Sequence, residues 1–167
     1  MTVANVTSRT SATGSGSSGQ EIPFSFPIAA TDDLTVIKRV TATGVETTLA
    51  ETTNYTVSIT GSTGGTVTTV TTIETTEEIH IIRETTKTQS LDLEQGGAFN
   101  AENIESALDK NTKLAIENGD AITRSLRAPS TDDTTLDLEI PNAIDRASKT
   151  LTFDADGNVT ATAAATT

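Results

Sequence analysis

Two hydrophobic periods divide the chain. From residue 22 to residue 83, apolar and polar positions alternate in short runs rich in Thr, Val and Ile. The run "IPFSFPI" puts Phe24, Phe26 and Ile28 on one face, and Pro23 and Pro27 confine it to an edge or an irregular strand. "LTVIKRV", "VETTLA", "YTVSIT", "TVTTVTTI" and "EIHIIR" follow, with turn material at "TATG" and "GSTGG" between some of them. Short β-branched runs broken by Gly turns predict a small antiparallel β-sandwich or barrel over residues 21–84. Thr is β-branched like Val but carries a hydroxyl, so it suits strand faces that see water.

The period then lengthens. Over residues 99–124 the spacing predicts a helix. Asn100 is placed to cap it, and Glu102 and Glu105 sit in its first turns, where the positive end of the helix dipole favours them. Ile104, Leu108, Asn111, Ala115, Asn118 and Ile122 recur in alternating steps of four and three. That is a heptad seam. Asn at seam positions lowers stability but selects register and oligomer state, and the stripe is narrower than a helix covering a sheet needs. The seam predicts self-association of modest strength between copies of the helix. The competing arrangement packs the helix on its own sheet through Ile104, Leu108 and Leu114. Gly119 weakens the helix by roughly 1 kcal/mol relative to Ala.

The flanks read differently. Residues 1–20 are mostly Ser, Thr and Gly, which predicts a flexible arm, disordered in the free chain and ordered on a partner. Residues 85–98 show no period and read as a linker. Residues 125–167 return to short β-prone runs: "TTLDLEIP" alternates Leu136, Leu138 and Ile140, and "KTLTFDADGNVTA" predicts a hairpin turning at 154–158. The Ala/Thr ending reads as a chain stopped mid-course.

Composition narrows the chemistry. Hydrophobic residues are 34% and aromatics 3% of the 167 residues, so the core is small. Asp and Glu number 23 against 11 Lys and Arg, a net charge of −12, which opposes binding to nucleic acid and to anionic membrane. No apolar run approaches the roughly 20 residues of a membrane span, and the N-terminus lacks the apolar core of a secretory signal. There is no cysteine, hence no disulfide or thiolate site. The single histidine, His80, lies within a strand pattern and cannot build a triad or a two-His metal site alone. "DADGN" starts like a calcium loop but lacks the later Glu, so a tight turn is expected. The "TDD" runs at 31–33 and 131–133 read as solvated turn carboxylates. No catalytic, cofactor or metal residue is assigned.

Taken in order, the pieces resemble the N-terminal, virion-anchoring region of tail-fibre and tailspike proteins from short-tailed bacteriophages. Carrying the resemblance are Phe24, Phe26 and Ile28; Asp33, Leu34 and Val36; Tyr55, Thr56 and Val57; Gly64 and Gly65; and Ile79, Ile81 and Arg83. Thr88 and Gln89, then Gly97, Phe99, Ala101, Glu102, Glu105, Ala107, Leu108, Asp109 and Lys110, continue it. "IPNAIDRASKTLTFDADGN" extends it to about residue 158, interrupted by the acidic, Thr-rich "APSTDDTTLDLE". The resemblance implies a structural virion protein, made in the host cytoplasm and carried in the tail. It implies a homotrimer held by the tail's adaptor and nozzle proteins, with host attachment made indirectly through a distal fibre. The alternatives are a receptor- or carbohydrate-binding β domain, or the anchor of a tailspike whose enzyme lies beyond residue 167.

Overall fold

The structure is a computed structural model and describes residues 3, 7–61, 63–89, 91–93 and 100–163. The chain divides into two compact units, Met1–Thr123 and Arg124–Thr167.

The first unit is mainly β, as the alternating pattern predicts. It contains β1 (Arg9–Thr13), β2 (Glu21–Phe24), β3 (Leu34–Val40), β4 (Glu46–Thr48), β5 (Tyr55–Ile59), β6 (Gly65–Thr69) and β7 (Glu77–Arg83), then the helix α1 (Ala101–Thr123). One antiparallel sheet has the order β1-β7-β3-β4 and the other β2-β6-β5. Phe24, Tyr55 and Val67 from the second sheet share one buried cluster with Leu34, Val36, Ile79 and Ile81 from the first. The two sheets therefore form a sandwich. Phe26, Ile28, Leu49 and Ile73 from the connecting segments complete its core.

Period-two alternation explains which residues point inward. On β7 the buried positions are Glu77, Ile79, Ile81 and Arg83: apolar in the middle, charged at both ends. At one end Lys38 Nζ meets Glu77 Oε1 at 2.6 Å, and Glu77 Oε2 also accepts the Glu74 amide. Pro23 lies on β2, an edge strand, where its missing N–H costs no ladder bond. The second sheet also depends on glycine. A Cβ at Gly65 would lie 2.7 Å from Cζ of Phe24, so the absent side chain makes room for that ring.

Four expectations need correction. First, residues 9–13 of the presumed arm form β1, antiparallel to β7 from Arg9 opposite Ile82 to Thr13 opposite Glu78. Composition hid this strand because an edge strand is held by backbone bonds, and only Ala12 packs on the core. The Ser/Gly stretch after it is an ordered turn from one sheet to the other. Gly14 donates to the Glu77 carbonyl, Gly16 to Ile73, and Gln20 Nε2 to Thr13. Second, Asp33 is not a solvated carboxylate. It is buried, its Oδ2 accepts the amides of Ala29 (3.0 Å) and Ala30 (3.4 Å), and its Oδ1 accepts Thr86 (3.3 Å). A buried carboxylate needs such donors. Third, the β6 strand ends at Thr69, short of the full "TVTTVTTI" run. Fourth, "TTLDLEIP" forms no strand; Leu136 and Leu138 are half-buried, and between them the Asp137 carbonyl accepts the Val159 amide at 2.9 Å while the Asp137 amide donates to Asn158 Oδ1 at 2.9 Å.

The second unit contains the short helix α2 (Ala143–Arg146), capped by the Asn142 side chain, and the hairpin β8 (Lys149–Phe153) and β9 (Val159–Ala163). The turn at 154–158 is as expected. Asp154 Oδ1 accepts the amides of Asp156 and Asn158 at 2.9 Å each, and Oδ2 accepts Asn158 Nδ2 at 3.0 Å. Both carboxylate oxygens are thus engaged within the turn itself. Asn158 holds the carboxyl of Asp154 below its usual range, through its side chain first and its backbone amide second.

Candidate interaction surface on the long helix

The helix begins where the cap predicts. Asn100 Oδ1 accepts the amides of Glu102 (3.0 Å) and Asn103 (3.4 Å). It continues through Gly119 to Thr123. A Cβ at Gly119 would meet nothing within 4 Å, so the glycine answers no packing demand.

One face of α1 is fastened to the end of the sandwich by charged groups rather than apolar ones. Arg83, the last inward position of β7, is only 1% exposed. Its Nε donates to Glu117 Oε1 at 2.7 Å, its Nη1 to the Pro27 carbonyl at 3.3 Å and its Nη2 to the Lys113 carbonyl at 3.4 Å. The Phe26 ring centroid lies 5.8 Å from the guanidinium carbon, within cation–π range. Glu117 also accepts the Thr85 hydroxyl at 2.6 Å and the Thr85 amide at 3.1 Å. One turn on, Asp120 Oδ2 takes the Ser8 hydroxyl at 3.2 Å and Arg9 Nε at 3.0 Å. Lys113, Glu117 and Asp120 follow helical spacing, so they form a single stripe.

The heptad residues lie on nearly the opposite side of α1, as 3.6 residues per turn requires. Leu108 is 61% exposed and Ile122 57% exposed. Asn111, Ala115 and Asn118 are exposed as well, and Ile104 is half-buried. Of the residues in the competing arrangement, Leu108 is corrected, since it is exposed; Ile104 and Leu114 are half-buried, Leu114 lines a groove with Ile28, and the hydrogen bonds that dock the helix come from polar groups.

The other motif residues separate into core and surface. Phe24, Phe26, Ile28, Leu34, Val36 and Tyr55 are buried in the sandwich core. Gln89 is exposed and bonds Leu91, whose carbonyl accepts its Nε2 (2.9 Å) and whose amide donates to its Oε1 (3.0 Å). Glu102 is exposed and Asp109 half-buried. Phe99 lies outside the described residues. Between residues 85–92 and the first half of α1 runs an open groove of about 1050 Å³. Its walls include Ile28, Asp33, Lys87, Lys110 and Leu114, with no histidine among them.

Arg83 appears in the sequence pattern only as a motif residue; its role as the helix anchor does not. A signal was present. The alternation Ile79, Ile81, Arg83 places a guanidinium at an inward position, and such a group requires a buried acceptor. The acceptor, Glu117, is 34 positions away, and nothing local identifies it. Among the described residues, no helix is long and apolar enough to cross a membrane. No family model and no curated protein matches the chain.

Proposed function

We propose that the chain is a structural virion protein: the N-terminal part of a bacteriophage tail fibre, or a short fibre adaptor, that anchors a trimeric fibre to the tail's adaptor and nozzle proteins. The observation that carries this reading is the orientation of α1. A polar stripe holds the helix to its own β domain, and the heptad stripe with Leu108 and Ile122 is left open. An exposed seam of that width fits two further copies of itself better than it fits a sheet. The sandwich then lies outside a three-helix bundle, where it is free to meet the tail rings. The ordered motif set from Phe24 to Asp109 supports the same assignment by resemblance.

In this reading the chain is not an enzyme, takes no cofactor, and reaches the host receptor only through a distal fibre. The carbohydrate-binding alternative is weaker, because such sites use exposed aromatic rings, and among the described residues Phe24, Phe26 and Tyr55 are buried, leaving Phe153 as the one exposed ring. Phage particles assembled with a chain lacking residues 22–83 are expected to carry no fibre. Particles that keep their fibres after that deletion would contradict the anchoring role.

A further inference from the structure

The docked side of α1 holds two buried cations and one carboxylate to pair with them. Arg83 is 1% exposed and Lys113 7%. Arg83 Nη2 donates to the Lys113 carbonyl, so the two residues are neighbours. Glu117, one turn beyond Lys113, is already engaged: Oε1 takes Arg83 Nε and the Thr85 hydroxyl, and Oε2 takes the Thr85 amide. The buried Asp33 gives its oxygens to the amides of Ala29, Ala30 and Thr86. Among the described residues no carboxylate pairs with Lys113. A buried ammonium without a counter-charge is costly, so the cluster lacks one anion.

Lys113 is not sealed in. Among the described residues, the one fully buried side-chain nitrogen or oxygen without a partner belongs to His80, so the Lys113 ammonium keeps an opening. Lys113 borders the groove of about 1050 Å³ between residues 85–92 and α1. Lys87 and Lys110 border it as well, which brings together three of the chain's five lysines. The far wall is held in place: Thr85 bonds Glu117, the Thr86 amide bonds Asp33, and the Thr88 carbonyl accepts Lys110 Nζ. A groove fixed on both sides loses little freedom when a ligand enters. Asp33, Asp92 and Asp109 also line it, and the chain carries −12 overall. That mixture opposes a polyanion but admits a single carboxylate. Ile28 and Leu114 give the groove apolar wall beside Lys113.

We propose that this groove receives an extended peptide segment of a partner protein, with one Glu or Asp side chain seated on Lys113 and apolar neighbours against Ile28 and Leu114. The carboxylate supplies the anion that the buried cluster lacks, and a charge-assisted hydrogen bond to Lys113 holds it. One chain suffices for this site, whether or not α1 self-associates.

A titration of the full chain, read by its backbone amide NMR shifts, tests the site. The probe is an acetylated, amidated pentapeptide, Ala-Leu-Glu-Leu-Ala, beside its Gln counterpart. The Glu peptide is expected to bind with a dissociation constant on the order of millimolar and to shift amides within 85–89 and 103–114. The Gln peptide, and the Glu peptide on Lys113→Met, are each expected to bind roughly tenfold more weakly, the effect of losing one charged hydrogen bond. Lys149→Met, in the second unit, is expected to bind as the parent does. Absence of saturable shifts with the Glu peptide would overturn the site. Equal binding of the two peptides, or of the Glu peptide by parent and Lys113→Met, would overturn the role of the carboxylate on Lys113. Inorganic phosphate that shifts the same amides with equal affinity would overturn the peptide in favour of a general anion site. The Gln peptide makes the comparison on the unaltered chain, so it decides the question even if Lys113→Met fails to fold.

Discussion

Arg83 and Glu117 form a buried ion pair, Nε to Oε1 at 2.7 Å, that joins the last strand of the sandwich to the middle of the long helix. The Arg83 side chain has no exposure and that of Glu117 13%. Each partner is completed by neutral groups, Pro27 and Lys113 carbonyls on one side and Thr85 on the other. Because the pair is desolvated, its value lies in orientation: it fixes which face of α1 turns outward.

Removing one partner is therefore costly. Glu117→Ala leaves a guanidinium buried without its counter-charge, and such changes cost about 3–5 kcal/mol. Urea unfolding of the first unit is expected to shift by that amount. The double variant Arg83→Met, Glu117→Leu is expected to lose much less, since a packed apolar pair needs no counter-charge.

The opposite end of the inner face responds to acid. The hydrogen bond from Lys38 holds the Glu77 carboxyl below its ordinary value, and the Glu74 amide adds to the effect. A depressed carboxylate stabilises the fold fully above its unfolded pKa, about 4.3 for Glu. That contribution is lost as pH falls through the lower folded value. Glu77→Gln is expected to flatten this part of the stability profile below about pH 4.3 and to leave its slope above pH 6 unchanged. Urea midpoints measured across that range check it.

Two glycines are expected to respond in opposite directions. Gly119→Ala adds a side chain in open space within α1 and is expected to raise stability by about 1 kcal/mol. Gly14→Ala puts a Cβ 2.2 Å from the Glu74 carbonyl oxygen and 2.6 Å from that of Ile73. It is expected to destabilise the sandwich by more than about 2 kcal/mol, the range of overpacking and backbone strain. Thermal unfolding of both variants distinguishes an integral β1 turn from a loose arm, since a loose arm would tolerate the second change.

Legibility in the sequence followed the range of the interactions. The strand from Leu34 to Val40 is bounded as its alternation predicts, and the Asn100 cap is where its residue type places it. Both are local. The strand from Arg9 to Thr13 was hidden, because its partner is β7, far along the chain, and its own side chains show little apolar period. Asp33 looked like a surface turn residue because its three amide donors lie in a neighbouring turn and across the fold at Thr86. For α1 the heptad identified the outward stripe. Period alone did not show that a polar stripe would win the docking, since Arg83 and Glu117 meet only in the folded chain.

The outward stripe is proposed as a three-fold seam, and sedimentation of the full chain beside Leu108→Asp decides whether it is one. Leu108 is exposed in the single chain, so the change leaves the sandwich core intact. In a trimer it brings three carboxylates near one axis, where desolvation and mutual repulsion oppose assembly. The parent is expected to sediment as three chains of 17.4 kDa and the variant as one folded chain with the β signal of the parent. A monomeric parent, or a Leu108→Asp variant that remains trimeric, would contradict it.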